Sequence, residues 1–286
     1  MAKKVLVTGA NGFIGRYVVK ALLDRGADVI AADFGYDGVD ERAQRCSVPI
    51  FDDNKNIYKE IGAPDACIHM AWRDGFVHNS DAHIMDLPNH YSFIKNMLEG
   101  GLPQIAVMGT MHEVGYWEGA IDSKTPTNPS SMYGISKNAL REASRLLATE
   151  NNAIWQWLRA YYIYSSDTKG SSIFAKIAKA AQEGKKTFPF TTGKNLYDFI
   201  TVEELADQIA ACLLQTEVTG IINCCTGHPI SLAEQIEQYI KDNNFDIKLE
   251  YGAYPDRPYD SPGEWGDPRK INMVLKKDFV VHKPVK

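Results

Sequence analysis

The chain has 286 residues, enough to bury a sizeable core as one large α/β domain or as a cofactor domain with a smaller lobe. A formal net charge of −5, with no long run of Lys and Arg, argues against a general nucleic-acid binder. No apolar run approaches the ~20 residues of a membrane helix, and Met1-Ala2-Lys3-Lys4 leads into a strand pattern without a signal-peptide core, so a cytoplasmic protein with no membrane role is expected.

Lys4–Thr8 reads as the first strand. Thr8-Gly9-Ala10-Asn11-Gly12-Phe13-Ile14-Gly15 follows, and a helix pattern starts at Tyr17. The glycines Gly9, Gly12 and Gly15 form a G-x-x-G-x-x-G turn between strand and helix. Such a turn lets backbone N–H groups approach a pyrophosphate, and the helix N-terminus favours its negative charge. Asp28–Asp33 is the second strand, and Asp33 stands 18 residues past Gly15. A carboxylate there can accept hydrogen bonds from adenosine ribose hydroxyls and would repel a 2′-phosphate. That favours NAD, with NADP left open because Arg42 and Arg45 lie a little further along.

Ser47–Phe51, Ala66–Met70 and Gln104–Met108 are further short apolar runs, with a helical pattern over His90–Gly100. Ser131–Asn151 is a long helix preceded by the breakers Pro126 and Pro129 and the cap candidate Ser130. Within it Tyr133 and Lys137 are four residues apart and share one face. Ala153–Arg159 is the next strand. The alternation predicts an α/β fold with a doubly wound parallel sheet.

The rhythm changes after about Tyr162. Ser171–Glu183 and Val202–Gln215 read as amphipathic helices, the second capped by Thr201. Ile221–Cys225 is a strand, and Ser231 caps a helix over Leu232–Asn243. Six Pro and Gly residues between Tyr254 and Arg269 predict a long loop of the kind that borders a site. The expected division is a Rossmann-type unit over 1–161 and a smaller C-terminal substrate lobe over 162–286, with interleaving between them. The cysteines Cys46, Cys67, Cys212, Cys224 and Cys225 form no C-x-x-C, so free thiols and no metal site are expected.

A free tyrosine, with a pKa near ~10, works at neutral pH only if its anion is stabilised. Lys137 can do that by charge. A dinucleotide site combined with a Tyr–Lys pair points to hydride chemistry at a carbon bearing oxygen.

The order of these motifs, with Tyr133-Gly134-Ile135-Ser136-Lys137 beginning 118 residues after Gly15, resembles the short-chain dehydrogenase/reductase superfamily. More narrowly it resembles the extended branch, the NAD-dependent epimerase/dehydratase family that acts on nucleotide sugars. By that resemblance Tyr133 is the general acid in ketone reduction and Lys137 also holds the nicotinamide ribose. Gly9, Asn11, Gly12, Phe13, Ile14 and Gly15 cradle the cofactor. Asp65-Ala66-Cys67-Ile68-His69-Met70-Ala71-Trp72 is similar to the family's Asp-x-apolar-apolar-His-Leu-Ala-Ala, which sets Met70, Ala71 and Trp72 along the cofactor. Trp72 departs from the usual small residue and could instead reach the substrate or shape the pocket. His69 reads as a packed structural residue, and Asp52 falls near the adenine.

The family's third catalytic member is a Ser or Thr past the fifth strand. Counting from the strand end gives Thr110, whereas counting back from Val114 lands on Met111, which cannot perform the role. Nucleotide-sugar 4,6-dehydratases carry Asp-Glu in this loop, but here the pair reads His112-Glu113, so dehydration is disfavoured. His112 is then a sugar contact or a second proton carrier. Leu158-Arg159-Ala160-Tyr161-Tyr162 resembles Leu-Arg-x-x-Asn, which brings Tyr161 to the nicotinamide and Tyr162 to the place of a diphosphate-binding Asn. Tyr197 replaces an Arg in the family's Arg-Asp-Phe-Ile, and Arg257 matches an Arg that grips nucleotide phosphates.

The resemblance implies an NAD(P)-dependent reductase of a nucleotide-linked 4-keto-6-deoxy sugar, with a nucleotide-sugar 4-epimerase as the alternative. A 4,6-dehydratase or a non-catalytic dinucleotide-binding regulator ranks below both. It also implies a homodimer through the helix with Tyr133 and the helix over His90–Gly100.

Overall fold

The computed structural model describes residues 2–165, 172–256 and 261–281. From β1 (Lys4–Thr8) the chain turns into α1 (Gly15–Asp24), then β2 (Asp28–Ala32) and β3 (Gln44–Arg45). A short α2 (Ile57–Glu60) leads to β4 (Ala66–His69), the single turn α3 (Ala82–Met85) and α4 (Leu87–Glu99). Next come β5 (Gln104–Thr110), a 3₁₀ turn (Met111–Glu113), β6 (Gly119–Ile121), α5 (Met132–Glu150) and β7 (Ile154–Ala160). The second half runs β8 (Tyr162–Tyr164), α6 (Ile173–Gln182), β9 (Thr187–Pro189), β10 (Leu196–Tyr197), β11 (Phe199–Thr201) and α7 (Val202–Leu213). It ends with β12 (Gly220–Cys224), β13 (Ile230–Ser231), α8 (Leu232–Asp242), β14 (Lys248–Glu250), β15 (Gly263–Gly266) and α9 (Arg269–Val281).

Seven parallel strands form the main sheet in the order β12-β7-β5-β4-β1-β2-β3. Each strand alternates its side chains between two apolar layers, as a sheet covered on both faces requires. Val5 and Val7 enter the layer of α1 and α7 with Val18, Leu22, Leu205 and Ile209. Leu6 enters the opposite layer with Phe93, Ile94 and Met97 of α4 and Leu140 and Leu147 of α5. The strand order reverses between β1 and β4, so the crevice at their C-terminal ends lies open to a ligand. A third cluster, with Phe174, Ile177, Ile236, Tyr239 and Phe190, is the core of the C-terminal lobe. β12 returns from this half to pair with β7.

Four local expectations are corrected. Ser47–Phe51 is not a strand; β3 is two residues paired with Ile30 and Ala31. Pro49 lacks an N–H, and Val48, Ile50 and Phe51 pack half-buried against the second layer instead. α4 starts at Leu87 rather than His90, because Pro88 suits a first helical turn. The cap of α5 is Ser131, whose hydroxyl accepts the Gly134 N–H at 3.1 Å, and not Ser130. The segment read as loop carries β15, held between β10 and β6. Its Gly266 serves close packing, since a Cβ there would lie 2.5 Å from the Cys225 sulfur and 2.9 Å from the Tyr161 ring.

Asp198 joins the lobe to the sheet. It is fully buried, and its carboxylate accepts the Thr226 N–H and hydroxyl and the Gly227 and Gly266 N–H groups. Asp198→Ala orphans these donors, and hydrogen bonds to a charged group are worth about 1.5–3 kcal/mol each. Urea unfolding is expected to show a loss of about 3 kcal/mol or more; a loss under about 1 kcal/mol would show that Asp198 is dispensable.

Candidate active site

The glycine turn is set by contact as well as by dihedral angle. Gly9 has φ +70°, and a Cβ there would lie 2.8 Å from the Ala71 nitrogen. At Gly15 a Cβ would lie 2.0 Å from the Gly9 carbonyl oxygen. Asn11 and Asp33 lock the turn to the end of β2. The Asp33 carboxylate accepts the Asn11 N–H at 2.8 Å and the Phe34 N–H at 2.7 Å, and the Asn11 side-chain oxygen accepts the Gly38 N–H. Each Asp33 oxygen keeps a lone pair for a hydroxyl donor. Phe13 and Ile14 are half-buried beside the turn, and Gly12 is exposed. On the neighbouring strand the Thr8 hydroxyl accepts the N–H groups of Met70 and Ala71. Asp52 is exposed, one residue past Phe51, whose ring meets His90 edge-on.

The end of β5 and the start of α5 bring three polar side chains together. Thr110, the last residue of β5, hydrogen-bonds Tyr133 through its hydroxyl, while Met111 is buried in the core. Lys137, one turn below Tyr133, is buried and donates to the Met108 carbonyl oxygen at 2.9 Å. Burial pushes Tyr133 up to about 12, against the Thr110 hydrogen bond that favours the anion. Burial likewise pulls Lys137 down to about 7, opposed by the charge of Glu113. In the free protein Tyr133 therefore holds its proton at neutral pH.

Glu113 is fully buried and engaged on both oxygens. One oxygen accepts the Thr110 N–H at 2.9 Å and the Trp157 indole N–H at 2.6 Å. The other pairs with Arg141 at 3.1 Å and Arg159 at 3.5 Å. A carboxylate held this way is a structural anchor and is poorly placed to abstract a proton. Gly109 makes the arrangement possible, because a Cβ there would fall 2.1 Å from the Trp157 indole nitrogen.

Motif spacing does not reveal the aromatic and imidazole layer around Tyr133. Five of the seven histidines are in it: His69, His78, His83, His90 and His112. His78 stacks on Tyr133 at 5.7 Å and meets the His112 ring at 4.4 Å. Trp72 stacks on His90 at 4.4 Å and donates its indole N–H to His83 Nδ1 at 3.0 Å. The two N–H groups on the Thr8 oxygen leave its own hydrogen for His69 Nδ1, and His69 Nε2 then meets His90 Nδ1 at 2.9 Å. The crowding of four histidines between 69 and 90 is the signal that the sequence offers for it.

On the other side of the crevice, Tyr161 is buried just past the end of β7, and its hydroxyl has no hydrogen-bond partner among the described residues. Tyr162 and Tyr197 are brought together, with ring centres 4.1 Å apart, and the Tyr162 hydroxyl donates to Glu264 at 3.3 Å. Arg257 lies outside the described residues. Lys137 has no acidic side chain within ion-pair distance among the described residues. A buried ammonium without a carboxylate partner, a bare glycine turn and a carboxylate with spare lone pairs fit a bound dinucleotide.

The histidines give this site an acid sensitivity. Burial holds His69 well below its ordinary 6.5, His90 down to about 3 and His112 down to about 4. The unfolded chain takes up protons at these positions below pH 6.5 while the folded chain does not, so stability falls as the pH drops from about 6.5 toward 4. Urea midpoints between pH 7 and pH 4.5 should report uptake of about three protons on unfolding, and His90→Gln should remove about one of them. A flat profile over that range would contradict the assignment.

Comparison with known proteins agrees with this geometry. Residues 5–225 match the model of the NAD dependent epimerase/dehydratase family. The chain is 41% identical over 275 residues to a dTDP-6-deoxy-L-talose 4-dehydrogenase (NAD(+)) from Aggregatibacter actinomycetemcomitans, covering 92% of this chain and 98% of that protein. Among solved structures, a UDP-glucose 4-epimerase of Thermus thermophilus in complex with NAD superposes with a TM-score of 0.80 at 22% identity, over 94% of this chain and 92% of the other. The UDP-N-acetylglucosamine 4-epimerase of Methanobrevibacter ruminantium gives 0.82 at 18% identity, over 96% and 92%. With the parallel sheet, the glycine turn at its reversal point and the family match over 5–225, this chain belongs to the NAD-dependent epimerase/dehydratase family.

Proposed function

We propose that the protein reduces a nucleotide-linked 4-keto-6-deoxy sugar at C4, with NAD as its cofactor. The observation that carries this reading is the convergence of Thr110, Tyr133 and Lys137 beside the glycine turn while Glu113 is withdrawn into a buried ion pair. The Aggregatibacter relative, a 4-dehydrogenase of a dTDP-6-deoxyhexose, supports it. Removing hydride from C4 and returning it to a C4 ketone are one reaction in two directions.

The turn from Gly9 to Gly15, with Asn11, Phe13 and Ile14, would hold the dinucleotide's pyrophosphate. Asp33 would hold the adenosine ribose, which favours NAD over its 2′-phosphate, and Asp52 would border the adenine. Met70, Ala71, Trp72 and Tyr161 would line the rest, with Lys137 at the nicotinamide ribose. When bound in reduced form, the dinucleotide supplies a hydride for a carbonyl carbon. The protein's own part is to place the ketone oxygen between the Thr110 and Tyr133 hydroxyls. Thr110 orients that oxygen by a hydrogen bond, and Tyr133, protonated at neutral pH, delivers the proton. The Lys137 ammonium offsets the phenolate that remains. His112, neutral at pH 7, serves as a sugar contact rather than as an acid. Tyr162, Tyr197 and Arg257 are the residues this reading assigns to the substrate.

The working unit in this reading is a cytoplasmic homodimer of chains, each with a dinucleotide unit over 1–161 and a substrate lobe over 162–286. The exposed apolar side chains Tyr91 of α4 and Ile135 and Leu146 of α5 support such a contact, and the free cysteines suit a reducing compartment.

Purified protein mixed with dTDP-4-keto-6-deoxyglucose is expected to oxidise NADH stoichiometrically and NADPH much more slowly, as followed by nicotinamide absorbance. Tyr133→Phe should lower kcat/KM by about 10²–10⁴-fold, the usual contribution of a positioned general acid. Absence of oxidation with either cofactor, together with C4 epimerisation of nucleotide hexoses without added cofactor, would replace this reading by the epimerase one.

A further inference from the structure

Lys137 has an unusual surrounding for a buried cation. Its ammonium spends one donor on the Met108 carbonyl oxygen at 2.9 Å. Its nearest described counter-charge is not a carboxylate but an aromatic face, since the nitrogen lies 3.9 Å from the centre of the Trp72 ring. That distance is well inside the range in which a ring quadrupole attracts a cation, and the attraction grows when water is excluded. The Tyr133 ring is the next face, at 5.9 Å.

The indole is itself held at two points. Its N–H donates to His83 Nδ1 at 3.0 Å, and its ring stacks on His90 at 4.4 Å and 15°. His83 is fixed in one tautomer, because its other nitrogen meets the Val77 carbonyl oxygen at 3.0 Å, and a carbonyl only accepts. So His83 Nε2 carries the hydrogen and Nδ1 is free to accept from Trp72. His90 is in turn hydrogen-bonded to His69, which bonds the Thr8 hydroxyl under the glycine turn.

We propose that Trp72, pinned by His83 and His90, is the positioning residue for Lys137, holding its ammonium over an aromatic face where a carboxylate partner would otherwise be needed. A carboxylate at that spot would occupy the remaining ammonium donors and would repel an incoming pyrophosphate. An aromatic face attracts the charge without consuming directed N–H bonds, so two donors stay available for hydroxyl groups. This accounts for an indole, and not a carboxylate, beside the buried ammonium. The inference rests on the reading that Lys137 meets the dinucleotide's ribose.

The ionisable groups facing Lys137 are Tyr133 on its own helix, Glu113 on the 3₁₀ turn, His69 on β4 and His90 on α4. The histidines stay neutral and Tyr133 stays protonated near neutral pH, so the titration of Lys137 itself sets how cofactor affinity responds to pH.

The test is NADH binding, followed by fluorescence between about pH 5 and pH 9, which needs no sugar substrate. In the unsubstituted protein, affinity should fall as the pH rises through the Lys137 titration, and in Lys137→Met that fall should vanish. Trp72→Leu keeps the site apolar but removes the quadrupole. Its midpoint should move down by about one pH unit, or roughly tenfold weaker binding above it. Trp72→Phe should restore most of the midpoint, and His83→Ala should give an intermediate shift. An unshifted midpoint in Trp72→Leu with a native near-ultraviolet spectrum overturns the proposal, as does a pH response that survives in Lys137→Met. If Trp72→Leu does not fold, His83→Ala carries the test, and an unshifted midpoint there overturns the proposal. Failure of the unsubstituted protein to bind NADH overturns the cofactor reading instead, and the two failures are thereby told apart.

Discussion

The buried carboxylate of Glu113 ties together the parts on which the site depends. It reaches the end of β5 through the Thr110 N–H, β7 through Trp157 and Arg159, and α5 through Arg141. These are the elements that must keep a fixed relation if the Thr110 hydroxyl is to meet Tyr133. A charge buried this deeply is tolerated only because every oxygen has partners, and removing one partner from such a set is strongly destabilising. The residue at Gly109 is dictated by the same cluster, because only a missing side chain leaves room for the indole of Trp157. The loop of His112 and Glu113 thus carries an anchor and not a free acid–base pair.

Around that anchor the site keeps most of its titratable groups in their neutral forms. Burial holds His69, His90 and His112 unprotonated and Tyr133 protonated. The exception is the Lys137–Glu113 axis, whose opposite charges act on each other without forming an ion pair. A site arranged this way presents a loaded proton donor and a cation whose donors are only partly used. The chemistry it favours is proton delivery to a developing alkoxide rather than proton abstraction from carbon.

The C-terminal lobe is built differently. Tyr162 and Tyr197 form one aromatic face, and Asp198 between β10 and β11 is spent on four donors that hold β12 and β15 in place. The same short segment thus contributes a ring to the lobe's core and a bolt to the fold, since successive residues of an extended chain point to opposite sides.

The parallel sheet, the cofactor turn and the Tyr133–Lys137 pair are legible in the chain before it folds, because each is carried by local spacing. Two-residue alternation sorts Val5, Leu6 and Val7 between layers, three glycines define the turn, and a four-residue step puts Tyr133 and Lys137 on one helix face. Relations between residues distant in the chain are fixed only on folding. Thr110 rather than Met111 meets Tyr133 because the strand runs to Thr110 before the 3₁₀ turn buries Met111. β15 exists because β10 and β6 lend it hydrogen-bond partners, although its own glycines and the flanking prolines read as loop. Glu113 becomes an anchor, and Trp72 a face for Lys137, through partners 28 to 65 positions away. Long-range pairing of this kind leaves no periodic trace in sequence, because the energy that selects it comes from desolvated charge and close packing formed only when the chain has folded.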